Sequence, residues 1–217
     1  MEAALMTFLQ TLAEVRVVPV VVLNDPPAAK PLAEALIAGG LPLAEVTFRT
    51  EAAEQSVRAM AAYPALTVGA GTVTSADQVD TAVAAGAKFV VSPGFSAAVI
   101  SRCRELDVAV VPGVATATEL MAALDAGITT VKLFPAEPLG GVSTLRALAA
   151  AFPQIKFVPT GGISTANATS YLAEPSVLAV GGSWMVAPAL LAQHSWDNVT
   201  RLASEAVHLV REAGQAG

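Results

Sequence analysis

Thr130-Val131-Lys132-Leu133-Phe134-Pro135 sets a single lysine inside an apolar, β-prone run. In a strand, alternate residues share a face, so Lys132 lies with Thr130 and Phe134 while Val131 and Leu133 point the other way. If the strand is parallel and covered by helices, the lysine faces the inside of the sheet or barrel. Desolvation there disfavours the charged form and leaves the amine available as a nucleophile. The alternative is a lysine at a strand end, its stem buried and its head in water.

The same grammar recurs outward from this stretch. Apolar runs stand at 16–23, 44–49, 66–73, 89–94, 109–114, 130–135, 156–161 and 177–183, separated by Ala- and Leu-rich segments of helical composition. Strand then helix, eight times over, predicts the α/β class and a single (β/α)8 TIM barrel with an N-terminal helix. The 217 residues match the length such a barrel takes as one domain. The expected domain is 1–217, with a leading helix over 1–14, barrel strands and intervening helices over 16–184, and C-terminal helices over 187–213. Punctuation agrees at several joints. Asn24 or Asp25 can cap a helix whose first turn holds Pro26 and Pro27, Gly39-Gly40 can end it, and Ser75 with Asp77 opens another. Ala-Gly closes helices at Ala38, Ala85 and Ala126, a weak internal repeat.

Composition narrows the function. With 54% hydrophobic and 14% charged residues, the chain buries a large core and is far from a disordered composition. A net charge of -6 without a basic run gives no footprint for nucleic acid. Cys103 is the only cysteine, which excludes an intrachain disulfide and fits a reducing compartment, so the cytoplasm is the expected location. Residues 1–14 carry two glutamates and no lysine or arginine, unlike a secretory leader. Residues 175–196 lack charge over a length that could span a bilayer, but they break into a strand-like Val177 to Val180, a Gly181-Gly182-Ser183 loop and a helix start at Pro188. No membrane segment is expected.

In a parallel barrel, chemistry sits at the carboxyl ends of the strands. Glu45, Thr47 and Arg49 share one face of the second run and Val46 and Phe48 the other, so Glu45 and Arg49 point inward with Lys132. Buried ionisable groups are costly unless paired or used, which leaves a catalytic constellation or a structural ion-pair network. Two glycine-rich turns, Thr160-Gly161-Gly162-Ile163-Ser164 and Gly181-Gly182-Ser183, follow the last two strands. Their backbone N–H groups, beside a helix N-terminus, suit a phosphate.

These residues carry a resemblance to the 2-keto-3-deoxy-6-phosphogluconate (KDPG) aldolase and 4-hydroxy-2-oxoglutarate aldolase family. It runs through Val18-Pro19-Val20, Glu45-Val46-Thr47-Phe48-Arg49-Thr50, Val68-Gly69-Ala70-Gly71-Thr72-Val73, Ser92-Pro93-Gly94 and Val111-Pro112-Gly113. It continues in Lys132-Leu133-Phe134-Pro135-Ala136, Pro159-Thr160-Gly161-Gly162-Ile163 and Gly181-Gly182-Ser183-Trp184. The resemblance implies a class I aldolase of the Entner-Doudoroff pathway with Lys132 as the Schiff-base lysine and Glu45 as the proton shuttle. Arg49 and Thr72 would hold the pyruvate carboxylate, Pro93 and Phe134 would shape the pocket, and Gly161, Gly162 and Ser183 would bind the distal phosphate, with Thr160 in the substrate-binding set. Phe48 and Leu133 depart from the residues more frequent there, leucine and phenylalanine. Both should face the helices, away from the chemistry.

The implied reaction forms an iminium between Lys132 and the C2 ketone, breaks C3–C4 as Glu45 takes the C4 hydroxyl proton, and releases glyceraldehyde 3-phosphate and then pyruvate. No metal or other cofactor is expected, because the electron sink is covalent and the only histidines, His194 and His208, stand apart in the C-terminal helical region. Both read as surface or packing residues, Cys103 as a structural thiol, and Trp184 and Trp196 as packing under the phosphate loop or at a subunit contact. The expected partner is a small phosphorylated keto acid. A mean hydropathy of +0.59 hints at burial between subunits, and the resemblance implies a homotrimer. Two other functions remain open, a phosphate-binding barrel isomerase or decarboxylase that forms no imine, and a barrel that only assembles or binds.

Overall fold

The computed structural model describes residues 2–215; Met1, Ala216 and Gly217, the ends of the expected 1–217 domain, lie outside the described residues. A leading helix α1 (Glu2–Val15) precedes strands β1 (Val17–Val21), β2 (Leu43–Thr47), β3 (Thr67–Gly71), β4 (Phe89–Val91), β5 (Ala109–Val111), β6 (Gly113–Val114), β7 (Thr130–Leu133), β8 (Lys156–Phe157) and β9 (Val180–Gly182). Helices alternate with them: α2 (Ala29–Ala38), α3 (Ala53–Met60), α4 (Ala76–Ala84), α5 (Ala97–Glu105), α6 (Ala117–Asp125), α7 (Gly141–Ala151) and α8 (Ala168–Leu172). Two more close the chain, α9 (Pro188–Ala192) and α10 (Trp196–Gln215).

The fold is α/β, and every strand pairing is parallel. Six strands form one ladder in the order β5-β4-β3-β2-β1-β9, and three form a second, β6-β7-β8. Proline explains the division. Pro112 separates β5 from β6 because it has no N–H to give, yet its carbonyl accepts the Lys132 N–H at 2.9 Å. Pro159 likewise shortens the expected run at 156–161 to the two residues of β8, with Thr160 bridging to Gly181 and Phe157 to Val177.

Each expected strand thus contains strand residues, most with narrower bounds, the second being shifted to begin at Leu43. The second ends at Thr47, so Arg49 lies in the turn beyond it, not within the strand as expected. Helix starts are mixed. Ser75 caps α4 by accepting the Gln78 N–H at 3.2 Å, as the sequence implied, and Gly39 follows the last residue of α2. The Asp25 side chain makes no cap hydrogen bond; Pro26–Ala28 forms a 3-10 turn, and α2 begins only after it.

The core has two parts. Val131 and Leu133, both fully buried, belong to the layer between strands and helices, as the two-residue period requires. The second part fills the space enclosed by the strands with Val18, Leu43, Phe89, Val91, Val111 and Val158, and Phe8 and Leu12 of α1 reach into it. Phe8 stacks on Phe89 with centroids 4.4 Å apart at 20°. The stack needs Gly69, where a Cβ would stand 2.4 Å from the Phe89 ring. Burying such a side chain is worth roughly 1.5–3 kcal/mol, so α1 is held as a plug under the interior. Residues 175–196 fold as part of β9, a 3-10 turn and α9, and among the described residues no helix is long and apolar enough to cross a membrane.

Candidate active site

Strand β7 points Lys132 inward, and β2 does the same for Glu45 from a position 87 residues away. Their side chains meet: Lys132 Nζ donates to Glu45 Oε1 at 3.0 Å, with the residues 5% and 3% exposed. Breaking such a buried pair by removing one partner costs about 3–5 kcal/mol, so the two are mutually required once both are buried. Gly71 on β3 makes the room, since a Cβ there would stand 2.2 Å from Glu45 Oε1. Thr47, two residues on, is buried but gives its hydroxyl to the Val21 carbonyl at 2.9 Å.

The pair lines a small interior space, and Phe134 stands between it and a cleft beyond. Its ring centroid is 5.3 Å from Lys132 Nζ, and it lines a cleft of about 220 Å3 with Val20, Arg49, Thr160, Gly161, Gly162 and Ser183. Both glycine stretches therefore border one space, although Gly181 and Gly182 belong to β9 and not to the loop expected over Gly181-Gly182-Ser183, because the parallel pairing with β1 runs on through them. Gly161 (φ 99) and Gly162 (φ 82) occupy the left-handed region that glycine tolerates without steric cost. Asn167 braces their turn by donating to the Gly162 carbonyl at 3.0 Å and accepting the Ser164 N–H at 2.8 Å.

Arg49 is exposed where it lines this cleft and, among the described residues, has no ion pair or hydrogen-bond partner for its guanidinium. A solvated cation with no partner at a cleft is free to meet an anion. Thr72 and Pro93, expected alongside it, are half-buried after β3 and β4 but do not line the cleft. Thr72 has φ 56, a conformation costly for a β-branched residue and found where surrounding structure forces it.

The expected bystanders behave as such. His194 and His208 are exposed and do not line the cleft; His194 stacks on Trp196 at 5.5 Å. Burial pushes the Cys103 thiol up to about 12, which suppresses its reactive thiolate. Phe48 and Leu133 both pack in the layer between strands and helices, as anticipated. Trp184 lies against Gly182, under the second glycine turn, where a Cβ would stand 1.9 Å from the indole ring. Among the described residues no group of three His, Cys, Asp or Glu side chains could hold a metal ion.

Sequence reasoning missed the Asn167 brace, and also the bond from Tyr171 to Glu137 beside the first glycine turn. Ser164-Thr165-Ala166-Asn167 carried a turn signal; Tyr171, buried in α8, carried none. A larger cavity, about 330 Å3, lies at the other end of the strands among Leu5, Leu9, Arg104, Val108 and Ile128. It contains none of the expected site residues. Chemistry, not size, selects the cleft at the carboxyl ends.

Comparison with known proteins finds relatives over most of the chain. The model of the KDPG and KHG aldolase family matches residues 9–202. The 2-dehydro-3-deoxy-phosphogluconate aldolase of Treponema pallidum (strain Nichols) is 46% identical over 207 residues, 95% of this chain and 99% of the relative. Among solved structures, the 2-keto-3-deoxy-6-phosphogluconate aldolase of Zymomonas mobilis ZM4 with 3-phosphoglycerate has a TM-score of 0.86 at 42% identity, over 93% of this chain and 96% of that one. The KDPG aldolase of Legionella pneumophila, with pyruvate captured at low pH as a covalent carbinolamine intermediate, has a TM-score of 0.88 at 40% identity, over 91% and 97%.

Proposed function

This chain belongs to the KDPG and KHG aldolase family, and from that premise we propose that it is a class I aldolase whose imine forms on Lys132. It cleaves 2-dehydro-3-deoxy-6-phosphogluconate to pyruvate and glyceraldehyde 3-phosphate, and 4-hydroxy-2-oxoglutarate to pyruvate and glyoxylate. The observation that carries the assignment is the buried Lys132–Glu45 contact of 3.0 Å behind a cleft lined by an unpartnered arginine.

A lysine must shed a proton before it can attack a ketone. Glu45 is within hydrogen-bond distance to take it, leaving a neutral amine in a space that the α1 plug keeps apolar from below. Arg49 and Thr72 hold the keto-acid carboxylate, and Pro93 and Phe134 shape the space around the ketone. Lys132 attacks C2 and water leaves, giving an iminium that draws electrons from C3–C4. Glu45, through a water, then removes the C4 hydroxyl proton. The bond breaks to an aldehyde and an enamine, which is protonated and hydrolysed to pyruvate and free Lys132. Thr160, Gly161, Gly162 and Ser183 bind the distal phosphate. The electron sink is the iminium, so this reaction needs no cofactor.

Incubation with pyruvate and borohydride tests the assignment, since reduction fixes the adduct for mapping. A stable mass increase on Lys132 is expected. An adduct on another lysine would move the site, and none at all would favour an isomerase or decarboxylase on the same scaffold.

We further read the two ladders as one closed (β/α)8 barrel and residues 1–217 as one domain. The carbonyls of Pro112 and Pro159 support this by continuing the pairing where the ladders meet. A homotrimer is supported by the mean hydropathy of +0.59 and by Met6 and Met121, exposed at 62% and 59%; a sedimenting species of 22.0 kDa would oppose it. The single cysteine supports a cytoplasmic location.

A further inference from the structure

Beside the first glycine turn stands a carboxylate that the reaction does not use. Glu137 lies in the loop between β7 and α7, and its N–H donates to the Gly161 carbonyl at 3.0 Å. Its stem rests on the turn: a Cβ at Gly162 would stand 2.6 Å from the Glu137 Cβ. Gly162 itself lines the cleft. The carboxylate therefore pivots at the rim of the space assigned to a phosphate, where an anion repels the ligand.

It is turned the other way. Tyr171, fully buried in α8, donates its hydroxyl to Glu137 Oε1. Gly141 leaves space for the contact, for a Cβ there would stand 3.1 Å from that oxygen and 3.3 Å from the tyrosine hydroxyl. Burial first, and then the Glu137 hydrogen bond, raises the Tyr171 phenol above its ordinary range, so the hydroxyl keeps the proton it donates. Glu137 is otherwise exposed, and among the described residues only this side-chain hydrogen bond fixes where its charge points.

We propose that Tyr171 and Glu137 form a latch that holds a carboxylate out of the phosphate subsite, which makes Tyr171 a specificity-determining positioning residue. The inference rests on the reading of the glycine turns as that subsite. Tyr171→Phe keeps the buried ring and removes only the donor, freeing the Glu137 carboxylate to turn toward the cleft. A carboxylate about 7 Å from a phosphate dianion, in a water-like dielectric, weakens its binding by roughly tenfold. Glu137→Gln removes the charge.

The test compares kcat/KM for 2-dehydro-3-deoxy-6-phosphogluconate and for unphosphorylated 4-hydroxy-2-oxoglutarate in the full-length enzyme. Tyr171→Phe should lower the first by about tenfold, mainly through KM, and leave the second within about twofold. Adding Glu137→Gln to that variant should restore the first, because a neutral amide does not repel phosphate whichever way it turns. An equal loss on both substrates, or a loss that the second substitution leaves in place, overturns the latch in favour of simple bracing. No loss at all overturns it too. If the unmodified enzyme itself shows no preference for the phosphorylated substrate, the subsite reading fails and takes the latch with it. A preference that Tyr171→Phe leaves undiminished sinks the latch alone.

Discussion

The two ends of the strands make a controlled comparison, because one scaffold carries a cavity at each. At the amino ends the cavity is larger, about 330 Å3, and its one charged side chain, Arg104, is spent on the Ala126 carbonyl. At the carboxyl ends the cleft is about 220 Å3, and its arginine, Arg49, has no partner among the described residues. Polar satisfaction separates them better than volume does. Among the described residues, the amino-end cavity leaves no lining charge unpaired, and the Phe8–Phe89 stack lies above it, lining one small interior space with Lys132 and Glu45. The carboxyl end keeps an unpaired cation and a glycine turn, together with a strained Thr72, a feature that costs stability and persists where surrounding structure holds it.

Substitutions at the carboxyl-end site and in the plug should therefore fail in different ways. Lys132→Arg should have the largest effect: turnover and borohydride trapping both vanish, since a guanidinium cannot supply a neutral amine. Trapping that survives in this variant would locate the imine elsewhere. Glu45→Gln should lower cleavage by about 10²- to 10⁴-fold, the range of general acid–base groups, while pyruvate can still be trapped. Exchange of pyruvate methyl protons into deuterated water should slow as well. Unaltered exchange would show that another group moves the proton.

Ser183→Ala should cost about 10- to 150-fold in kcat/KM for the phosphorylated substrate, one hydrogen bond to a charged group being worth roughly 1.5–3 kcal/mol. Cleavage of 4-hydroxy-2-oxoglutarate should hardly change. Equal losses on the two substrates would mean that Ser183 supports the fold and not the phosphate. Beneath the Lys132–Glu45 pair, Phe8→Ala should have the smallest effect on the chemistry, with kcat within a few-fold of the parent. Its signature should be thermal or denaturant stability, lower by about 3–5 kcal/mol. A large fall in kcat in a variant that remains folded would show that the plug takes part in the chemistry.

How much of this was legible depended on distance along the chain. The inward register of Lys132 and Glu45 could be read because side-chain direction in a strand alternates residue by residue. The Ser75 cap could be read because donor and acceptor lie three residues apart. Arg49 was placed one turn too early, inside a strand that ends at Thr47, because apolar alternation continues through Phe48 after the ladder has stopped. The Asp25 cap failed because Pro26 and Pro27 enter a 3-10 turn before α2 begins.

Other features had no local signal at all. Nothing near Phe8 says that it will stack on Phe89, nothing near Tyr171 that it will meet Glu137, and Gly71 reads as an ordinary glycine until Glu45 needs its space. The sequence by itself determined the order of strands and helices, the faces their side chains take and the residue types gathered at the carboxyl ends, because periodicity and turn chemistry act within a few residues. Only the tertiary structure decided which inward faces oppose one another, which arginine is left unpaired and where a carboxylate is tied back. Those outcomes follow from parallel ladders and packing that join residues tens of positions apart, where one side chain's environment is set by segments that its neighbours in sequence do not encode.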